Sequence, residues 1–229
     1  MSERTGTAAV QDLQLRIDGR EALSADWVAA VHAVCDGAED HAGRARITVR
    51  VSGTPDAAWT DGLTVSLVNK WERALRRLER VPSAVVAVAE GTVGGMALDV
   101  LLATDYRIAA GSLRLVLPVH DGATWPGMAL YRLARHGAGV AAIRRAVLFG
   151  TPVEAAEALA LRLVDEVADD PDHALSRLGA RLSGLSGREL AVRRQLMSEA
   201  PSTSFEEALG AHLAACDRSL RRTDAGAAP

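Results

Sequence analysis

The run Ala84-Val85-Val86-Ala87-Val88-Ala89, followed by Glu90-Gly91-Thr92-Val93-Gly94-Gly95 and a helix-like segment containing Asp99, constrains this chain more than any other feature. An apolar run of this kind predicts a buried strand. Where glycines end such a strand and open a helix, the first helical N–H groups lack intrahelical partners, and the positive end of the helix dipole falls at the same point. That point stabilises an oxyanion; the plain alternative is a tight turn with no further role.

The neighbouring segments set this strand in a larger pattern. Strands are predicted at Leu13 to Ile17, Arg46 to Val51, Tyr106 to Ala109, Leu113 to Leu117 and Leu163 to Val167. Helices are predicted from Ala25 to about Gly37 with Ser24 as N-cap, from Leu63 to Arg80, from Gly95 to Ala103, and over Gly127 to Arg135, Gly139 to Phe149 and Pro152 to Leu161, the last capped by Thr151. Strands alternating with helices at this spacing indicate βαβ units and a largely parallel sheet, so the fold class is α/β. From His173 to about Arg222 the chain reads as charged helix, broken near Gly184 to Gly187 and at Pro201. The expected organisation is a core over residues 10–170, a helical region over 171–223, and disordered ends at 1–9 and 224–229.

Composition narrows the function. A net charge of −3 disfavours a nucleic-acid groove or a polybasic membrane anchor, and no apolar run approaches the length of a membrane span. Cys35 and Cys216 lie far apart, without partners at metal-ligand spacing, so neither a disulfide framework nor a metal site is expected. With no apolar leader between Met1 and Asp12, residence in the cytoplasm is expected. Of the 26 basic residues only Lys70 is a lysine, which fits a GC-rich coding bias before any selection for bidentate contacts.

The stretch Ala84 to Ala110, with its Asp105-Tyr106-Arg107-Ile108-Ala109-Ala110 ending, resembles the signature of the crotonase (enoyl-CoA hydratase/isomerase) superfamily. Ala22-Leu23-Ser24, Ile47 to Gly53, and Leu148 to Ala155 continuing to Leu163-Val164-Asp165 match further family segments in the same order. The resemblance implies a crotonase-like fold, a spiral ββα core with mostly parallel sheets, and a homotrimer or pair of trimers completed by the C-terminal helices. It implies an acyl-CoA thioester as substrate, with coenzyme A as part of that substrate and no separate cofactor. The segments Asn69 to Glu79 and Ala123 to Leu133 most resemble accessory proteins of this superfamily in dihydroxyphenylglycine formation. Those act beside a type III polyketide synthase that makes 3,5-dihydroxyphenylacetyl-CoA.

By the same resemblance, the N–H of Met96, in the turn with Gly95, is one oxyanion donor, and an ungapped alignment puts Gly62 at the other. Asp99 takes the place of the first of two family glutamates. It lies between Leu98 and Val100, where burial would raise its pKa and suit it to proton transfer; the plain alternative is a solvated or capping residue. The second glutamate maps to Val119, which transfers no proton, and loss of such a group removes roughly 10² to 10⁴ in rate. His120 and Asp121 are candidates to stand in for it, or else solvated loop residues. Trp59, Trp125 and Tyr131 are candidate walls of an aromatic pocket, with core packing as the alternative. Arg73, Arg76, Arg77 and Arg80 read as a salt-bridged helix face or as contacts to the phosphates of coenzyme A. Asp105 matches a structural position of the family.

The expectation is dehydration and aromatisation of a polyketide-CoA intermediate toward 3,5-dihydroxyphenylacetyl-CoA. A non-catalytic partner of the synthase and a conventional enoyl-CoA hydratase or isomerase are the alternatives.

Overall fold

The computed structural model describes residues 10–226 except 42, 43, 57, 137–139, 183, 184 and 186. The expected disorder of residues 1–9, the helix start at Gly139 and the break at Gly184 fall outside these residues. In chain order, β1 (Gln11–Asp18), α1 (Ala25–Asp40), β2 (Ala45–Gly53), α2 (Val65–Leu78), β3 (Ala84–Val93), α3 (Gly95–Leu102) and β4 (Tyr106–Ala110) form the regular part. Short pieces follow: β5 (Arg114–Leu115), β6 (Val119–His120), β7 (Ala123–Thr124), α4 (Met128–His136), α5 (Val140–Phe149), β8 (Val153–Glu154), α6 (Ala155–Ala160) and β9 (Glu166–Ala168). Helices α7 (Pro171–Leu182), α8 (Gly187–Glu199) and α9 (Phe205–Gly226) complete the chain.

The sheet runs β1-β2-β3-β4-β9, and every pair along it is parallel. Parallel neighbours require crossovers, here supplied by α1 and α2. The apolar run of β3 is buried on both faces: Val85, Ala87 and Ala89 join the main core with α1, α2 and α3, while Val86 and Val88 meet Ile108 and the Ala174, Leu175 and Leu178 face of α7. Helix α7 therefore covers the second face of the sheet, although it lies beyond residue 170. The sheet needs it, because a two-sided apolar strand cannot leave one face wet.

Strand β3 does not end at Ala89 as expected. It bends at Gly91, whose φ of +64° favours glycine, and its far end pairs with β5 through Thr92↔Arg114 and Val93↔Leu115. This change of partner turns the flat sheet into a spiral. Of the expected strand Leu113 to Leu117, only Arg114 and Leu115 pair. The helix expected from Pro152 starts at Ala155, because Val153 and Glu154 are held antiparallel to β5; Thr151 is not its cap. The other expected cap is observed: Ser24 accepts from the Trp27 N–H and starts α1.

Two arginines fix the ends, Arg107 buried and Arg194 half-buried. Arg107 donates to the carbonyls of Leu101, Leu102, Thr104 and Leu163, closing the C-terminal end of α3. Arg194 of α8 donates to the carbonyls of Glu79, Val81 and Ser83 and to Asp105 at 2.6 Å, while Asp105 accepts the N–H of Val85. Among the described residues, no helix is long and apolar enough to cross a membrane. Replacing Arg107 by Met strands several buried carbonyls and should lower unfolding stability by about 3 kcal/mol, read from urea denaturation.

Candidate active site

The strands β1, β2 and β3 converge at their C-terminal ends with no room between backbones. The N–H of Gly94 donates to the Gly53 carbonyl at 2.9 Å. A Cβ on Gly94 would lie 2.5 Å from the Thr54 hydroxyl, and one on Gly95, at φ +54°, would press on the Pro55 ring. Only glycine lets α3 start this close to the loop after β2. The first-turn N–H groups of Gly95 and Met96 take no partner among the described residues, and both residues line a cleft.

The cleft encloses about 50 Å³ and opens to solvent. Its walls come from the loop after β1 (Gly19 to Leu23), the loop after β2 (Pro55, Trp59, Leu63), α2 (Val68, Trp71, Glu72), α3, Leu117 with Pro118, and the start of α4. Asp99, one turn into α3, faces this space. It is half-buried by surface area, but its open side meets only the narrow cleft and the rest of the carboxyl is enclosed by protein. Trp71, 1% exposed, donates its indole N–H to Asp99 Oδ2 at 3.2 Å. Burial, then the negative charge of Glu72, push the Asp99 carboxyl up to about 7, against the opposing pull of Arg132 and the Trp71 bond.

Behind Asp99 lies a chain of charges. Arg132 of α4, its side chain 5% exposed, contacts Glu72 at 2.8 Å and Glu79 at 2.8 Å, and Arg76 contacts Glu79 at 2.8 Å. Burial raises the Glu79 carboxyl, but Arg132 and Arg76 together bring it below its ordinary value. The arginine face expected on α2 is salt-bridged: Arg77 pairs with Asp36 at 2.5 Å and Glu39 at 2.8 Å, joining α2 to α1 near the surface.

The structure brings Gly95, Met96 and Asp99 together and leaves four candidates, Gly62, His120, Asp121 and Tyr131, outside the lining. Gly62 sits in an exposed turn at φ +74°, closed by the Leu63 N–H to the Thr60 carbonyl, and only Leu63 reaches the cleft. His120 is exposed on the β6–β7 hairpin and meets the cleft only through the rings of Trp59 and Trp125, at 6.4 and 6.3 Å. Trp59 and Trp125 do form a wall, edge to face at 5.0 Å, whereas Tyr131 is 50% exposed and lies elsewhere. Val119, on β6, points away from the cleft toward Gly150. Sequence reasoning missed Trp71 and Glu72 as site residues, though Val68, Trp71, Glu72, Leu75 and Glu79 recur at helical spacing and mark the inner stripe of α2. Among the described residues no cluster of three or more His, Cys, Asp or Glu could hold a metal ion.

A carboxyl whose folded pKa exceeds its unfolded value stabilises the fold at acid pH, and that contribution drains away as pH climbs from about 4 through about 7. Asp99→Asn should therefore raise the melting temperature at pH 8 and change it much less at pH 4, measured by thermal denaturation.

A family model described as enoyl-CoA hydratase/isomerase matches residues 62–223. The chain is 54% identical over 211 residues to a protein of Amycolatopsis orientalis named enoyl-CoA-hydratase, covering 92% of this chain and 97% of that one. The fold superimposes on an enoyl-CoA hydratase structure from Polaromonas sp. JS666 with a TM-score of 0.78 at 21% identity, over 94% and 91% of the two chains. A structure from Mycobacterium smegmatis gives a TM-score of 0.78 at 16% identity, over 91% and 87%. With its spiral parallel sheet and a glycine turn that frees two N–H groups beside Asp99, this chain belongs to the enoyl-CoA hydratase/isomerase family of the crotonase superfamily.

Proposed function

We propose that this protein binds an acyl-CoA thioester and moves a proton at the carbon beside its carbonyl, in the manner of an enoyl-CoA hydratase or isomerase. The observation that carries this reading is the juxtaposition of the free Gly95 and Met96 N–H groups with the enclosed carboxyl of Asp99. A thioester oxygen placed at the start of α3 accepts those N–H groups and meets the positive helix end, which stabilises the enolate more than the neutral thioester; one such donor is worth roughly 10² to 10³ in rate. Asp99, with its carboxyl near neutrality, is matched to accept and return the α-proton at cellular pH. The similarity to the Amycolatopsis orientalis protein supports the same chemistry.

A narrower reading within this one is water loss from a cyclised polyketide-CoA on the way to 3,5-dihydroxyphenylacetyl-CoA, beside a type III polyketide synthase. The Trp59–Trp125 wall favours it, since two indoles offer a flat aromatic product both face and edge contacts. Assembly into trimers, alone or stacked in pairs, is the accompanying proposal. It is supported by α9, which exposes Phe205, Leu209, Leu213 and Leu220 along one side.

Incubation with butyryl-CoA in deuterated water tests the proton chemistry. Label should enter at the α-carbon at a rate that rises with pH through about 7, and Asp99→Asn should slow it by roughly 10² to 10⁴. Reconstitution with the synthase tests the narrower reading: if Asp99→Ala stimulates product formation as fully as the unaltered protein, the role is partnership rather than catalysis. Leu213→Asp should dissociate the assembly, seen as a fall in mass by light scattering.

A further inference from the structure

Adding water to, or removing it from, an acyl thioester involves two proton transfers at different atoms, the α-carbon and the oxygen on the next carbon. Asp99 serves one. Val119, aligned with the family's other carboxyl, is exposed on the hairpin and leaves the second unfilled. Glu72 lies on α2 directly after Trp71, the residue that holds Asp99, and lines the same cleft.

We propose that Glu72 is the second acid–base carboxyl of the cleft, delivering and removing the proton of the water molecule while Asp99 handles the α-proton. The assignment rests on the acyl-CoA reading above. Its geometry is specific. Glu72 Oε2 is buried 2.8 Å from Arg132, a charge contact that holds the carboxylate, yet it takes no hydrogen bond among the described residues, which leaves that oxygen an unfilled acceptor in a residue lining the cleft. Glu72 also borders a second cavity of about 600 Å³ between α2, α4 and α8. Water there can reach Glu72 from behind when substrate fills the cleft, so the pair can exchange protons with solvent without opening the front.

In the direction of water addition the pair starts with Asp99 protonated and Glu72 as the carboxylate beside Arg132. Glu72 takes a proton from water as the water oxygen bonds to the β-carbon, and the alkene electron pair moves to the enolate held at Gly95 and Met96. The α-carbon of that enolate then takes the Asp99 proton, forming the new C–H bond. Transfer of the proton from Glu72 to Asp99 resets the site; water loss is the reverse. The charges facing the pair are Glu21 across the cleft, Arg132 behind it, and beyond that Glu79 with Arg76.

The test is Glu72→Gln in the full chain, with butyryl-CoA in deuterated water to read α-proton exchange and 3-hydroxybutyryl-CoA to read water loss. The expected result is a split: exchange persists, water loss falls by roughly 10² to 10⁴, and Glu72→Asp restores part of it. The pH midpoint of exchange should also move to lower pH, because a negative neighbour of Asp99 has been removed. Undiminished water loss in Glu72→Gln overturns the assignment while leaving the acyl-CoA reading intact. Loss of both activities, or an unmoved midpoint, in a variant whose circular dichroism is native also overturns it, since Glu72 would then only shape the cleft. If Glu72→Gln does not fold, Glu72→Leu carries the same readout, and undiminished water loss or an unmoved midpoint there overturns the assignment. No exchange in the unaltered protein overturns the acyl-CoA reading and this assignment with it.

Discussion

The bond from the Gly94 N–H to the Gly53 carbonyl sets the distance on which the site depends. It clamps the end of β3 to the end of β2, and the loop after β1 closes from the other side, where a Cβ on Gly19 would lie 2.4 Å from the same Gly53 carbonyl. With three backbones at contact distance, α3 has one direction in which to leave. That direction aims its unpaired N–H groups and Asp99 into a single cleft, so a steric constraint on glycines becomes an electrostatic property of the site.

The second organising feature is a row of charges running from the cleft to the surface: the two carboxyls of Asp99 and Glu72, then Arg132, Glu79 and Arg76. Burying carboxylates is unfavourable unless cations answer them, and the two arginines do so for the inner members. Asp99, at the cleft end, has among the described residues only an indole N–H as a direct partner, with the charge of Glu72 nearby. The neutralisation is graded along the row, which leaves the carboxyl in the cleft as the one most ready to bind a proton.

How much of this was readable from the residues follows from the range of the interactions. The α/β class, the parallel order and the turn that opens α3 follow from local patterns: the apolar run at Ala84 to Ala89, the spacing of helices, and Gly94 with Gly95. The bend at Gly91 was less legible, because a glycine after an apolar run looks the same whether it ends a strand or redirects it. Val153 and Glu154 were read as helix because their pairing with β5 is a contact between distant segments that leaves no periodic trace. Glu72 looked like one of several charges on an arginine-rich helix. What distinguishes it is its place on the inner stripe next to Trp71, and the meaning of that place depends on α3 and α4 packing there.

The aromatic content of the cleft gives the molecule an intrinsic optical property. The chain has four tryptophans, and Trp59, Trp71 and Trp125 all border the cleft. Two stand edge to face and one is bonded to a carboxyl whose ionisation varies near neutrality, so ultraviolet emission from the unlabelled protein originates largely at the cleft. Occupancy and titration of the cleft are thereby written into the native fluorescence, with no dye or engineered reporter required.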